Sequence, residues 1–339
     1  MNTMNMMEHK GNVLIPTIAY GDAAGLPVET RTAEYIEQKY GIIHSLLPTK
    51  ENPFFTGENE PGTWSDDTQL TLAVAKALIK ADGFDIHAMA DAHLDAYGST
   101  KEIFRKGKWA KRGWGGSTID AMEKIKSGVS PLESGTLDGS GNGVLMKLAP
   151  LAYWQTVREV SDEERHEQYD ALTNMTHDSL IARLTTRVHG DTLTYLMKNG
   201  YEREAFLDEL ASSVAQHEGA TWSNGEAREI LSYLPEVQTR NDILNRTDAK
   251  GFYAPQTLAM AYGAFVLNEA RTTDSMYEAV NLGGDTDSTA SIVGAMSALA
   301  SREVVLIPID HQQLDQLEML KRTSRELAQY ALRSVETTR

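Results

Sequence analysis

Apolar residues recur along this chain at helical rather than strand spacing. From Gln69 to Lys80, Leu70, Val74, Ala77 and Leu78 share one face, and Gly83 stands where such a helix should stop. Pro255 opens a second run in which Leu258, Tyr262, Phe265 and Val266 line up, as expected for proline at a helix start. Ser291 to Ala300 reads as a third helix, rich in small residues, with Ile292, Val293, Met296 and Leu299. Gln312 to Ser334 is long, charged and amphipathic.

Alternating strand patterns are weak. The best candidates, Ile42–Leu47 and Val304–Ile309, lack a hairpin partner with turn chemistry. The first apolar stretch, V-L-I-P-T-I-A-Y, is interrupted by Pro16 and soon by Gly21 and Asp22. Two polar stretches, Ser161 to Asp170 and Pro235 to Lys250, read as surface insertions. No internal repeat is visible, and no Pro- or Ser-rich linker divides the chain. The pattern predicts an all-α protein: residues 1–11, with Met1, Met4, Met6 and Met7, as a mobile end, and residues 12–339 as a single domain.

The net charge of −16 removes any general attraction for a phosphate backbone or an anionic membrane. No nucleic-acid or membrane partner is expected. The absence of cysteine excludes disulfides, thiolate metal sites and a cysteine nucleophile, and fits a reducing compartment. No apolar run approaches the roughly 20 residues of a membrane span, so a cytoplasmic location is expected.

Five Gly- and Asp-rich patches interrupt the helices: Tyr20–Glu29, Trp64–Thr68, Arg112–Thr118, Ser140–Lys147 and Asn281–Thr289. Any one alone is most simply a turn or cap. Ser65, Asp66 and Asp67, however, offer two carboxylates and a hydroxyl at a predicted helix start, and Asp285, Asp287 and Ser288 offer the same set at another. Four aspartates exceed what two caps require. Oxygen ligands of this kind suit hard cations such as Mg²⁺, Mn²⁺ or Ca²⁺, and two divalent ions would balance four carboxylates. Two rival readings fail. Asp285-Thr-Asp-Ser-Thr289 matches a phosphatase nucleophile loop, but no buried strand precedes it. An EF-hand would place Gly and Glu where Ala290 and Met296 stand.

Taken in order, these patches resemble the ADP-ribosylglycohydrolase family, from about Ile18 to Pro308. The family's G-D-x-x-G-x-x-x-E matches Gly21 to Glu29, its T-D-D-T matches Ser65 to Thr68, and its G-G-D-T-D-T matches Gly283 to Ser288. Its G-N-G-A/S-A-M-R loop appears as Gly141 to Lys147, and its T-H pair as Thr176 and His177. Serine replaces the family's threonine at 65 and 288, and Lys147 replaces arginine.

The resemblance implies a compact orthogonal multi-helix domain holding two Mg²⁺ or Mn²⁺ ions through Ser65, Asp66, Asp67, Asp285, Asp287 and Ser288. It implies Glu29, Asp66, Asp67 and Asp287 as catalytic residues, and Gly115, Ser140, Gly141, Asn142, Gly143 and His177 as substrate-binding residues. The implied reaction removes ADP-ribose from a modified protein side chain, most simply ADP-ribosyl-arginine, by attack of a metal-bound water at the ribose anomeric carbon. The enzyme is expected to be monomeric, with an ADP-ribosylated protein as substrate and ADP-ribose as product. The alternatives are a non-catalytic ADP-ribose-binding member, disfavoured because Glu29 and all four aspartates are present, and a hydrolase of a small ADP-ribosylated or glycosylated compound. Asp22 reads as a turn or cap residue, and Trp114 as a packed side chain rather than an adenine platform.

Overall fold

The computed structural model of the chain describes residues 3–50, 52, 55, 60–105, 108–221, 225–301 and 309–337. In chain order its helices are α1 (Thr3–Gly25), α2 (Ala33–Tyr40), α3 (Asp66–Ala81), α4 (Ile86–Ser99), α5 (Gly116–Lys126), α6 (Ala149–Val157), α7 (Asp162–Asn174) and α8 (Leu180–Asn199). They continue with α9 (Arg203–Thr221), α10 (Glu226–Leu231), α11 (Arg240–Arg246), α12 (Ala254–Leu267), α13 (Thr272–Asn281), α14 (Thr286–Ala300) and α15 (Leu317–Thr337). Strands are minor. One antiparallel hairpin joins β1 (Glu102–Arg105) to β2 (Lys108–Lys111), and a two-residue parallel pairing joins β3 (Thr136–Leu137) to β4 (His177–Asp178).

The core is organised around α14, in which every residue is buried. A helix can be enclosed on all sides only if its neighbours approach closely, and Ala290, Ser291, Gly294 and Ala298 provide the small surface for it. At the crossing with α1, a side chain on Gly21 would run into the Ala290 carbonyl, and one on Gly25 into the backbone of Thr286. The contact is therefore backbone against backbone, and Thr286 Oγ1 seals it by donating to the Gly25 carbonyl at 2.8 Å. A main hydrophobic core joins most of these helices, with a smaller cluster of Leu70, Tyr97, Trp114, Ala121, Met122 and Met146 beside it, and the all-α, single-domain architecture stands.

Several local expectations are corrected by packing. Pro16 does not break the first helix, which runs unbroken from Thr3 to Gly25. Burial of Leu14, Ile15, Ile18, Ala19 and Tyr20 offsets the lost backbone hydrogen bond. Residues 3–11 form the first turns of α1. Lys10 is buried and donates to the carbonyls of Met197 and Leu299, at the C-terminal ends of α8 and α14, where a cation is favoured. α3 ends at Asp82, which takes the left-handed conformation (φ 51°) expected of Gly83, with Arg158 bound to its carboxylate at 2.7 Å.

Residues 42–47 form no strand. The Asn281 side chain supplies the missing partner, its Oδ1 accepting from Ile43 N and its Nδ2 donating to Ile43 O, both at 2.9 Å. Residues 304–308 of the other strand candidate lie outside the described residues. The two polar stretches contain helices: α7 begins at the N-cap Ser161, and α11 has a capping box formed by Thr239 and Asp242.

Candidate active site

The carboxylates predicted from separate motifs meet at one place, and the mechanism of their meeting is visible bond by bond. Asp22, near the C-terminal end of α1, reaches across to the start of α3. Its Oδ2 accepts from Thr68 Oγ1 at 2.6 Å and Thr68 N at 3.0 Å, and both its oxygens accept from Ser65 N. Asp22 is thus a brace for the α3 N-terminus, the structural role expected for it, though it braces residues 65–68 rather than its own turn. Ser65 is the N-cap: its Oγ accepts from Asp67 N at 3.1 Å and donates to Asp67 Oδ2 at 3.2 Å. Asp67 Oδ1 accepts from Ser291 of α14 at 3.0 Å.

The second wall is stitched just as tightly. Gly283 and Gly284 take φ of 73° and 78°, in the left-handed region, and lie against the backbone of residues 31–33 and of Lys250. Gly284 exchanges hydrogen bonds with Thr30 N and Arg31 O, both at 2.7 Å. This locks the residue after Glu29 to the residue before Asp285. Glu29, Asp285 and Asp287 consequently bring carboxylate oxygens within 4.8 Å of one another. Asn142 Nδ2 donates to Asp285 Oδ2 at 2.7 Å and to Gly251 O at 3.0 Å, while Asn52 Nδ2 donates to Glu29 Oε2 at 2.9 Å.

These groups are strained electrostatically. Burial, and then the charge of Asp285, push the Glu29 carboxyl up to about 8. Burial and Asp22 push Asp66 up to about 7. Burial raises Asp22 to about 6 despite its four hydrogen bonds. Asp67 and Asp287 are also held well above the ordinary carboxylate range, by burial and then by their acidic neighbours, and Asp285 is raised by burial. The hydrogen-bonding partners Asn52, Asn142 and Ser291 are neutral, so they orient these carboxylates without cancelling their charge. An all-oxygen donor set with surplus negative charge fits a hard cation, and Glu29, Asp285 and Asp287 are placed to hold one.

A cleft of about 230 Å³ opens over this cluster, lined by Glu29, Asp66, Asp67, Asp285, Asp287 and Ser288 on one side. The opposite side is glycine-rich, with Gly115, Gly116, Gly141 and Gly143 beside Asn142. His177 lies under the 139–143 loop, and a side chain on Gly143 would meet its ring. Thr176 Oγ1 sits 2.8 Å from His177 Nδ1, and burial lowers the imidazole to about 3, so it is neutral.

Not every expected residue lines the cleft. Ser140 is outside it, and its carbonyl accepts from Ala254 N at 2.9 Å to anchor α12. Ser65 is likewise behind the cleft. Lys147 is completely buried, not poised on a loop to meet phosphate, and desolvation lowers its ammonium to about 7. Trp114 is packed as expected, donating to Gln69 Oε1 at 2.9 Å with its ring 5.2 Å from Tyr97. Sequence reasoning missed Phe252, a 45% exposed aromatic at the cleft, and Asn52, which holds Glu29. The G-F-Y preceding Pro255 was a usable signal for the first; a lone Asn before proline signals nothing about the second.

A second cluster, His166, Asp191 and His217, also has the composition of a metal site. It satisfies itself: the two histidines hydrogen-bond the two oxygens of Asp191 at 2.9 and 2.7 Å, and Arg165 stands 4.0 Å away.

Comparison with known proteins agrees with the geometry. The chain is 25% identical over 285 residues to the ADP-ribosylarginine hydrolase Tri1 of Serratia proteamaculans, covering 83% of this chain and 68% of that one. It is 26% identical over 294 residues to an uncharacterized protein of Archaeoglobus fulgidus, covering 86% and 87%. Its fold matches a solved ADP-ribosylglycohydrolase-related protein with a TM-score of 0.72 at 24% identity, covering 96% of this chain and 99% of that one. Residues 18–337 match the ADP-ribosylglycohydrolase family, and with the helical fold and the convergent carboxylates in place, the chain belongs to that family of hydrolases of ADP-ribose linkages.

Proposed function

We propose that the protein removes ADP-ribose from modified arginine side chains of proteins, using two Mg²⁺ or Mn²⁺ ions held by Asp66, Asp67, Asp285, Asp287 and Ser288. The observation that carries this reading is the convergence of Glu29, Asp285 and Asp287 within 4.8 Å, in the cleft that Asp66 and Asp67 also line. The arginine linkage is supported by the similarity to an ADP-ribosylarginine hydrolase.

Bound divalent cations would supply charge that orients the ribose hydroxyls and makes water a better nucleophile at neutral pH. The chain's own residues do the rest. Glu29, partly exposed at the rim and oriented by Asn52, would accept the proton of the attacking water once bound cations offset the neighbouring carboxylate charge that raises it. Asp285 is held in one orientation by Asn142, which fixes the position of the ligand set. Gly115, Gly116, Gly141 and Gly143 present bare backbone to the pyrophosphate, which side chains would obstruct. The neutral His177 supports that loop without adding charge. Ser65, already engaged as the α3 cap, acts on Asp67 rather than on the ligand.

The test is release of free ADP-ribose from arginine-, serine- and cysteine-linked substrates, with and without Mg²⁺ or Mn²⁺. Metal-dependent release from the arginine linkage alone is expected. Release that is insensitive to chelation, or no release from any linkage, overturns the reading.

A further inference from the structure

One carboxylate of the cluster, Asp66, faces space on two sides. One is the glycine-lined cleft. On the other, a larger hollow of about 550 Å³ lies between α3, α4 and the start of α15, and Asp66 lines both spaces. Its floor comes from the facing surfaces of two helices, Ala73 and Ala77 of α3 and Ala92 and Ala96 of α4. Alanines at this spacing leave a trough between the helices, crossed at one end by Gln69, whose Nε2 donates to the Ala96 carbonyl at 3.0 Å.

The rim has a charge opposite to that of the chain as a whole. Lys76 and Lys80 stand exposed on α3, Lys101 follows α4, and Arg112 closes the end next to Asp66, with its guanidinium over the Phe55 ring at 4.5 Å. Among the described residues, Asp95 is the acidic group on that lining apart from Asp66. Among the described residues, four cations against two carboxylates give this trough a sign opposite to the chain's net charge of −16. Lys80 lies 3.8 Å from Asp91, but both side chains are well exposed and water screens the pair.

We propose that this hollow docks an extended, acidic polypeptide segment flanking the modified side chain of the ADP-ribosylated substrate protein. The proposal rests on the hydrolase reading above, which sets the direction of the substrate. A glycosidic bond held at the carboxylates sends its two halves in different directions. The glycine-lined cleft suits the ADP-ribose half, and Asp66, which lines both spaces, sets the hollow beside the acceptor half. At 550 Å³ against 230 Å³, the hollow offers more room than one acceptor side chain needs. The alanine floor accepts an extended backbone, and the lysine and arginine rim selects acidic side chains along it.

The experiment has two arms. In the first, fluorescence anisotropy follows binding of an unmodified, labelled, Glu-rich peptide and of a Ser-rich counterpart to the full chain. The proteins are wild type, Lys76→Glu/Lys80→Glu and Lys76→Arg/Lys80→Arg. Wild type and the arginine pair are expected to bind the acidic peptide about tenfold more tightly than the neutral one, with the preference fading at high salt, and the glutamate pair to lose it. In the second arm, both peptides carrying ADP-ribosyl-arginine are compared with free ADP-ribosyl-arginine. The glutamate pair should lower kcat/KM about tenfold on the acidic peptide and leave the free compound unchanged. Equal binding of the two peptides to wild type, undiminished binding by the glutamate pair, or a loss shared by free ADP-ribosyl-arginine overturns the docking site. Failure of wild type to cleave any ADP-ribosylated substrate defeats the hydrolase reading instead, and the anisotropy arm then decides the hollow by itself.

Discussion

Asp22 of α1 accepts a 2.6 Å hydrogen bond from Thr68 Oγ1 of α3, and the same carboxylate takes the backbone N–H of both Ser65 and Thr68. One buried side chain therefore ties the first motif of the sequence to the second and sets where Asp66 and Asp67 begin. Asp22→Ala leaves these donors without partners in a space closed to water. It is expected to lower the unfolding free energy by about 2–4 kcal/mol, read by urea denaturation, with a parallel loss of turnover. Asp22→Asn, which keeps an acceptor, should cost visibly less. Equal stability of all three proteins would remove the bracing role.

Asp287 has the opposite character, since it contributes to the site at the expense of the fold. Burial and then the charges of Glu29, Asp285 and Asp67 raise its pKa. Asp287→Asn is expected to raise the melting temperature of metal-free protein by relieving this repulsion, while kcat/KM falls on the order of 10²-fold or more. Asp67→Ala should lose activity to a similar degree and keep its helical circular dichroism. An Asp287→Asn protein that is both active and unchanged in stability would contradict the proposed role.

The same electrostatics dictate a pH dependence. A carboxyl whose pKa is raised by folding holds its proton more tightly in the native chain. Its contribution therefore favours the fold at low pH and is lost as pH climbs from the unfolded value to the folded one. Asp22, Asp66 and Glu29 move from ordinary values of 3.8 and 4.5 to about 6, 7 and 8. Melting curves of chelator-treated protein are expected to show stability falling between about pH 4 and 8, and Mg²⁺ or Mn²⁺ to reduce that fall. A metal-free stability that rises through this window, beyond what other groups supply, would argue against the burial of these acids.

Gly25 has no room for a side chain, because α1 and α14 touch backbone to backbone at Thr286. Gly25→Ala should cost about 1–3 kcal/mol or more in stability and displace Thr286 together with its neighbours Asp285 and Asp287. Divalent-metal affinity, measured by calorimetry, is expected to weaken with it. Gly83→Ala, on a turn where an added Cβ would meet nothing within 4 Å, serves as the control and should change neither.

The helices of the core were legible because apolar periodicity is a property of neighbouring residues. Leu70, Val74, Ala77 and Leu78 share a face of α3 whatever lies opposite them, and Pro255 starts α12 by fixing its own φ. The errors fell where a distant partner overrode a local rule. Pro16 lies inside a helix because its surroundings are buried, and Asn281 replaces a strand for Ile43. Phe252, Asn52 and the lysine-rimmed hollow carry no sequence signature, because each acquires its meaning from what faces it.

By itself the sequence determined the chemistry of this protein: paired carboxylates at two helix starts, a glutamate after a glycine-rich turn, a glycine loop, and no cysteine. Only the tertiary structure decided that these groups meet. Asp67 and Ser291 are 224 positions apart, and Asn142 and Asp285 are 143 apart. Spacing along the chain does not encode such contacts. They exist because the glycines of α1 let it lie directly against α14, and because Asp22 and the 283–285 loop then hold both walls of the cleft in register.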